Sequence, residues 1–225
     1  MAENLQDVGE RSLIGLLSQR MEQTERVLVG VGDDAAVIGI GSEDVVLCTD
    51  AMVEGVHFSR DWSTPRQLGG KIVARNFADI SAMGALPIGF TLSLTVPAST
   101  DVSWVLELID GVNDECRRAG AAFLGGDTSA GDAVVLAGSA VGDMRGLSPV
   151  LRSGAKPGDV LAVHGGLGCA AAGLAQLRRG HDIGECVAAQ LLPQPDYAAA
   201  RTAASTATSM IDTSDGLIVD AGHIA

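Results

Sequence analysis

Apolar residues in this chain form short blocks that glycines, acids and hydroxyl residues separate. Blocks of this length, rich in Val, Ile, Leu and Ala, are typical of buried strands. A proline closes one of them, at Pro97. The pattern predicts strands at 27–31, 35–40, 44–49, 88–96, 121–125, 133–141, 159–164 and 208–212.

Between these blocks, apolar positions recur every three or four residues, which is the spacing of an amphipathic helix. In the segment 65–84, Pro65 stands near the start and Gly84 at the end, where helices favour these residues. Further helices are predicted at 9–20, 101–119, 168–179, 185–191 and 195–205, and another opens at 214. That last helix is still amphipathic at Ala225 and has no C-cap, so we expect a truncated polypeptide.

Composition and charge limit the partners that we expect. Hydrophobic residues make up 47% of the 225 residues and charged residues 19%, which predicts a folded chain. The net charge of −13 argues against binding nucleic acid or an anionic membrane. No apolar segment approaches the roughly 18 residues of a membrane helix. The N-terminus lacks the basic and apolar regions of a signal peptide, so we predict a cytoplasmic protein.

The cysteines give no indication of a metal site. None of them is paired as CxxC or has a histidine at ligand spacing. We therefore expect reduced, buried thiols with a structural role. The chain has four: Cys48, Cys116, Cys169 and Cys186.

Aspartates stand at the ends of several predicted strands, beside Gly, Thr or Ser. A strand that ends in an acid places a carboxylate at the rim of a sheet. Several carboxylates at one rim would repel one another unless cations lay between them. This composition indicates a site that holds several Mg²⁺ ions around a polyphosphate. The residues concerned are Asp33, Asp34, Asp50, Asp127, Asp212 and Asp215.

The predicted helix 65–84 carries a polar stripe made by Lys71, Arg75 and Asp79, at positions i, i+4 and i+8. One interpretation is a solvated face with a weak Arg75–Asp79 surface pair. The other is that the stripe faces a cleft, and the small residues of this helix would allow close packing there.

Each remaining motif is weak alone. Two glycines before Asp127 would let a backbone approach a phosphate. HGGLG at 164–168 looks like a phosphate loop, but it lacks the full dinucleotide and P-loop patterns and is more often an ordinary βα turn. In IDTSDGL, Thr213 or Ser214 can cap a helix whose free N–H groups favour anions. A lone His57 between apolar neighbours is more often structural.

The order of the motifs is far more specific than any one of them. GVGDDAAV, CTDAMVEGVHF, KIVARNFADISAMGALP, GGDTSAGD, RSGAKPGD and IDTSDGLIVDAGHIA follow one another over residues 28–225. In this order they resemble the thiamine-monophosphate kinases, of the superfamily that includes aminoimidazole ribonucleotide synthetase. Family members usually continue further, with an acidic and an aromatic residue that hold the thiamine moiety.

The resemblance implies a two-domain α/β fold, with an ATP- and Mg²⁺-binding domain at 1–147 that dimerises through its mixed sheet and an incomplete α/β domain at 148–225. It implies ATP-dependent phosphorylation of thiamine monophosphate to thiamine diphosphate by direct in-line transfer, assisted by several Mg²⁺ ions and without a side-chain base. Cys48 stands where a Ser or Thr often contacts the metal. His57 matches a contact to the thiamine phosphate. The implied Mg²⁺ ligands are Asp34, Thr49, Asp50, Asp79, Asp127, Asp212 and Asp215, and the implied nucleotide contacts are Gly126, Asp127, Arg152 and Ser214.

Two alternatives stay open. The chain could be another ATP-dependent enzyme of the superfamily, although selenophosphate synthetases carry a reactive Cys in an N-terminal Gly-rich segment and no cysteine precedes Cys48. It could also be a dimer that binds Mg²⁺–nucleotide without turnover.

Overall fold

The computed structural model describes residues 27–29, 32–40 and 43–225; the helix predicted at 9–20 lies outside these residues. The strands are β1 (Val27–Val29), β2 (Ala36–Ile40), β3 (Glu43–Val53), β4 (Leu86–Val96), β5 (Ala122–Ala130) and β6 (Val135–Asp143). The helices are α1 (Pro65–Ala82), α2 (Val102–Ala119), α3 (Cys169–Leu177), α4 (Glu185–Leu191), α5 (Tyr197–Ala204) and α6 (Leu217–Ile224). A 3-10 turn covers Arg152–Gly154.

The strands form one mixed sheet in the order β1-β2-β3-β6-β4-β5. β4 and β5 are parallel, and the other neighbouring strands are antiparallel. A parallel pair needs a crossover connection, which α2 supplies between β4 and β5. The α/β fold class expected from the sequence is confirmed.

Local sequence explains the bounds of α1. Thr64 accepts a hydrogen bond from the Gln67 backbone N–H, and the Gln67 side chain accepts one from the Thr64 N–H. This capping box satisfies two of the free N–H groups at the helix start, where Pro65 also fits. Gly84 follows the helix with a φ of 81°, a conformation that costs glycine little.

The core lies between one face of the sheet and the pair of helices α1 and α2. Phe77 of α1 contacts Phe90 of β4 edge to face, with ring centroids 6.0 Å apart. The two helices touch through their backbones: a Cβ on Gly69 would lie 2.0 Å from the Leu108 carbonyl oxygen. Glycine at this crossing therefore sets how closely α1 and α2 pack, and so where the polar stripe of α1 stands over the sheet.

A buried polar cluster joins α5 to α2. The Tyr197 hydroxyl donates to the Glu115 carboxylate, and Arg118 forms an ion pair with the same carboxylate. The Arg118 guanidinium also lies 4.5 Å from the centre of the Tyr197 ring. Because Glu115 is buried and fully partnered, this cluster fixes the C-terminal part of the described chain against the N-terminal core. The domain boundary near residue 147 stays a prediction.

Several expected strand positions were wrong. The segments 159–164 and 208–212 are not strands, and residues 159–164 are exposed, with no neighbouring strand among the described residues to pair with. β3 and β5 continue for three residues beyond Asp50 and Asp127 respectively, so these acids lie inside strands and not at their ends. Strand pairing with β6 and β4, which is a long-range interaction, extends both strands past their polar residues.

Two smaller expectations can be compared with the structure. None of the helices in the described part of the chain has the length and apolar character needed to cross a bilayer. All four cysteines are free, but only Cys116 is buried, and the other three are partly exposed.

Candidate active site

The polar stripe of α1 faces the site, which agrees with the second interpretation of this helix, and Arg75 does not pair with Asp79. Arg75 instead donates from both Nε and a terminal nitrogen to the Asp50 carboxylate on β3, at 3.1 and 3.3 Å. Asp79, one turn further along α1, lies instead close to the carboxylates of Asp34 and Asp212. Lys71, one turn before Arg75, donates to the Gln190 carbonyl oxygen at the end of α4, at 2.7 Å.

A second arginine holds the acids that precede β2. The Arg152 guanidinium forms an ion pair with Asp34, whose side chain is completely buried. The Arg152 backbone N–H donates to the Asp33 carboxylate at 3.2 Å. The two adjacent acids thus bind different groups of Arg152, one its side chain and the other its backbone. These contacts hold the turn at 152–154 beside β2. Ser209 adds a hydrogen bond to the Arg152 carbonyl oxygen, at 2.8 Å.

Three carboxylates from distant parts of the sequence meet between these arginines. One oxygen each from Asp34, Asp79 and Asp212 lies within 4.8 Å of the others. Asp34 follows a turn, Asp79 comes from α1 and Asp212 from the segment before α6. This convergence is the central feature of the site.

Burial and mutual repulsion act together on these acids. Burial, and then the Asp212 carboxylate, raise the pKa of Asp79 to about 8. Burial, and then the Asp34 carboxylate, raise the pKa of Asp212 to about 7. Burial also raises the pKa of Asp34, although the hydrogen bond from Arg152 opposes it. The protein alone thus leaves this cluster with too little positive charge.

The donor set fits a hard divalent cation. Four interacting carboxylates, including Asp50, face two guanidinium groups, those of Arg75 and Arg152. Asp34 Oδ2 is buried without a hydrogen-bond partner among the described residues. A buried carboxylate oxygen without a donor is costly. Mg²⁺ binds carboxylate oxygens and would satisfy it.

Other predicted ligands do not join this cluster. The Thr49 hydroxyl donates to the Gly138 carbonyl oxygen at 2.7 Å, whereas its neighbours Cys48 and Asp50 contact residues of α1. Successive strand residues face opposite sides of a sheet, so this hydroxyl lies on the other face. Asp127 is exposed on the edge strand β5 and accepts a hydrogen bond from Ser129 at 3.3 Å.

The predicted substrate-contacting residues lie in several separate parts of the structure. Gly126 and Asp127 line a cleft of about 170 Å³ between the β4–β5 edge and α2. Ser214 and Asp215 are exposed in the turn before α6. His57 is exposed in the turn after β3, where its Nδ1 accepts the Val53 N–H at 3.0 Å. A neutral His57 ring therefore carries its proton on Nε2.

Sequence patterns did not single out Asp220, which shapes the site together with the buried Asn76. Asp220, nearly fully buried at 3% exposure, accepts the Gly216 N–H at 2.9 Å and adds to the negative charge around Asp212. Its place in the first turn of α6 is a helix-start pattern that could have indicated this contact. Asn76 is buried beside Cys48, whose thiol donates to the Asn76 carbonyl oxygen at 3.2 Å.

Comparisons with known proteins agree on one family. Residues 32–144 match the family described as AIR synthase related protein, N-terminal domain. The chain is 45% identical over 223 residues to thiamine-monophosphate kinase of Mycobacterium tuberculosis, covering 98% of this chain and 67% of that protein. It is 36% identical over 228 residues to the Escherichia coli enzyme of the same name, covering 96% of this chain and 68% of that protein.

Solved structures give the same result for the fold. AaThiL complexed with AMPPCP and TMP superimposes with a TM-score of 0.91 at 31% identity, covering all of this chain and 72% of that one. A hydrogenase maturation protein, HypE, in complex with HypF, matches at a TM-score of 0.58 and 18% identity over 75% of this chain and 54% of that one. The second similarity is one of fold alone.

Proposed function

This chain belongs to the thiamine-monophosphate kinase family, and we propose that it transfers a phosphoryl group from ATP to thiamine monophosphate, giving thiamine diphosphate and ADP. The observation that carries the proposal is the meeting of Asp34, Asp79 and Asp212 within 4.8 Å. A phosphotransferase must hold two polyanionic substrates together, and an acidic site can do so through bound cations.

Asp34, Asp79 and Asp212 would hold Mg²⁺, with Asp50 beside them. Several such ions would neutralise the phosphate oxygens and hold the donor and acceptor phosphates in line. Arg152 and Arg75 keep Asp34 and Asp50 in fixed orientations. The predicted metal contacts of Asp127 and Asp215 are part of the same proposal, whereas the Thr49 hydroxyl lies on the other face of the sheet and is left out of it.

The remaining residues would orient the substrates. A Cβ on Gly126 would lie 1.7 Å from the Leu92 carbonyl oxygen of β4, so glycine is needed there for strand packing and its predicted nucleotide contact would come from its backbone. Asp127, Arg152 and Ser214 complete the predicted nucleotide contacts. The Nε2–H of His57 is available to donate to the phosphate of thiamine monophosphate. No side-chain base is needed, because the attacking phosphate oxygen is already ionised at neutral pH.

A turnover assay tests this function directly. The chain is incubated with ATP and MgCl₂, with or without thiamine monophosphate, and both ADP and thiamine diphosphate are measured. We expect both products only when thiamine monophosphate and Mg²⁺ are present. ADP release that is independent of thiamine monophosphate would exclude it as the acceptor.

A parallel thermal-shift measurement separates binding from turnover. We expect ATP to raise the midpoint of thermal unfolding in MgCl₂ but not in EDTA, because a ligand that binds the folded state stabilises it. A Mg²⁺-dependent shift without products would support the alternative of a nucleotide-binding chain without turnover. Equal shifts in MgCl₂ and EDTA would contradict binding through the carboxylates.

A further inference from the structure

Two of the four cysteines face each other outside the active site. The Sγ atoms of Cys169 and Cys186 lie 2.7 Å apart, closer than ordinary van der Waals contact between two sulfur atoms. Both residues are free thiols and both are partly exposed, so a small reagent can reach them. A disulfide bond has sulfur atoms about 2.05 Å apart, and a small side-chain rotation would close that gap.

The packing of α3 on α4 holds this pair together. A Cβ on Gly173 would lie 1.9 Å from the Cys186 carbonyl oxygen, so the backbone of α3 directly contacts that of α4. Cys169 lies four residues before Gly173, on the same face of α3. Leu177, Val187 and Leu191 form a small buried cluster between the same two helices. Proximity of the thiols thus follows from the backbone contact.

We propose that Cys169 and Cys186 are a redox modification site, which a small-molecule disulfide converts to an intramolecular disulfide. One thiolate attacks a sulfur of the reagent, forming a mixed disulfide and releasing one reagent thiol. The second cysteine then attacks the protein sulfur of that mixed disulfide and releases the second thiol. The cysteines lose two protons and two electrons in total, and the reagent takes up both as it is reduced to two thiols.

The cross-link joins the first residue of α3 to the first turn of α4. It therefore constrains the helix whose final turn, through the Gln190 carbonyl oxygen, accepts the Lys71 hydrogen bond from α1. Closing a loop of this size restricts the unfolded chain and raises stability. We expect the oxidised protein to unfold about 5 °C or more above the reduced protein.

Peptide mapping provides the test, since trypsin places each cysteine in a different peptide. The folded chain is treated with glutathione disulfide, and its remaining thiols are then alkylated and the protein digested. We expect peptide 153–178 joined to peptide 180–201, with Cys48 and Cys116 alkylated. Retained glutathione on Cys169 or Cys186 of the wild-type chain, or alkylation of both, would overturn the proposal.

Three variants provide a second test of the Cys169–Cys186 pairing. In Cys169→Ser and Cys186→Ser the remaining cysteine lacks its partner, so each variant should accumulate one glutathione adduct and no cross-link. Gly173→Ala keeps both thiols but forces the helices apart, and we expect the cross-link to form several-fold more slowly. Cross-linking of Gly173→Ala at the wild-type rate, or loss of the glutathione adduct from either serine variant, would contradict the proposed pairing.

Discussion

Asp50 illustrates how one side chain can serve two partners. Its two oxygens accept hydrogen bonds from Arg75 at 3.1 and 3.3 Å, and its charge also acts on Asp79 and Asp212. Each carboxylate oxygen has a second lone pair, so the contact with Arg75 leaves room for a metal ligand bond. Arg75 therefore orients the Asp50 carboxylate and leaves one lone pair on each oxygen for a metal ion.

The Asp50→Asn variant tests this arrangement. We expect a loss of turnover of roughly 100-fold or more, because the amide gives up the negative charge that neutralises a metal while keeping the shape of the side chain. The thermal midpoint should change little. The matched control is Asp110→Asn, which removes an exposed acid on α2. Wild-type turnover in Asp50→Asn would remove Asp50 from the metal site.

The pKa of Asp79 makes a prediction for the metal-free protein. Its folded value of about 8 lies far above the ordinary aspartate value of about 4, so between these limits the folded state holds a proton that the unfolded chain has lost. The free energy of unfolding therefore falls as pH rises through this window, and most of the fall is complete at about pH 8. In EDTA, we expect the thermal midpoint to decrease from pH 5 to 8.

Asp79→Asn should flatten this decrease, especially between pH 7 and 8, where Asp212 contributes less because its pKa is about 7. The Asp110→Asn control should retain the full slope. If the thermal midpoint of Asp79→Asn decreased with pH as steeply as that of the wild type, the proposed repulsion between Asp79 and the neighbouring carboxylates would be contradicted. Added MgCl₂ should raise the midpoint of the wild type more than that of Asp79→Asn.

At the scale of elements, the helix crossing of α1 and α2 is the most demanding contact. The small residues of α1 were expected to allow close packing, and the two helix backbones approach closely at Gly69 of α1 and Gly111 of α2. A Cβ on Gly111 would lie 2.0 Å from the Arg66 carbonyl oxygen, which mirrors the contact of Gly69 with Leu108. Both positions leave no space for a methyl group unless the helices separate.

Gly69→Ala should therefore lower the free energy of unfolding by about 1–3 kcal/mol, the usual cost of overpacking. Urea denaturation of the wild type and of Gly69→Ala measures this difference in the free energy of unfolding. The control is Gly222→Ala in α6, where a Cβ would meet no atom within 4 Å and the higher helix propensity of alanine should be neutral or stabilising. Equal stabilities of Gly69→Ala and wild type would contradict the backbone contact.

Local sequence predicted most helices because their starts and ends depend on nearby residues. Thr64, Pro65 and Gly84 bound α1 within a few positions, and Gly120 ends α2 with a φ of 74°. Strands depend on pairing with distant partners, which explains why the predicted strand at 159–164 was wrong and why β3 continues to Val53.

Asp34 and Asp212 were predicted as site acids from their positions beside strands, whereas Asp79 was assigned to the site only by the resemblance. Asp34, Asp79 and Asp212 are brought together by folding across much of the chain. Arg75 illustrates the difficulty, since its nearest acid on the helix surface is Asp79 and its actual partner is Asp50 on another element. Spacing along a helix indicates which ion pairs are possible within that helix. It does not show whether a residue of another element is the preferred partner.

For the whole molecule, the sheet has one covered face and one open face. The open face exposes Leu47 of β3 at 40% and Leu124 of β5 at 61%, with no layer of helices from the described residues over it. An antiparallel sheet can leave one face open to solvent, and apolar side chains on such a face can pack against a second sheet. We propose that two copies of the chain pair through these faces, as the resemblance implied.

Leu47→Asp tests this pairing with a matched control. We expect the wild type to be a dimer and the variant a monomer, because a carboxylate buried between two sheets would remain without a partner. Leu147→Asp changes the same residue type at the same exposure of 40%, but in a loop after β6. It should stay dimeric. Light scattering coupled to gel filtration gives the mass of each, and a wild-type monomer at micromolar concentration would contradict the pairing.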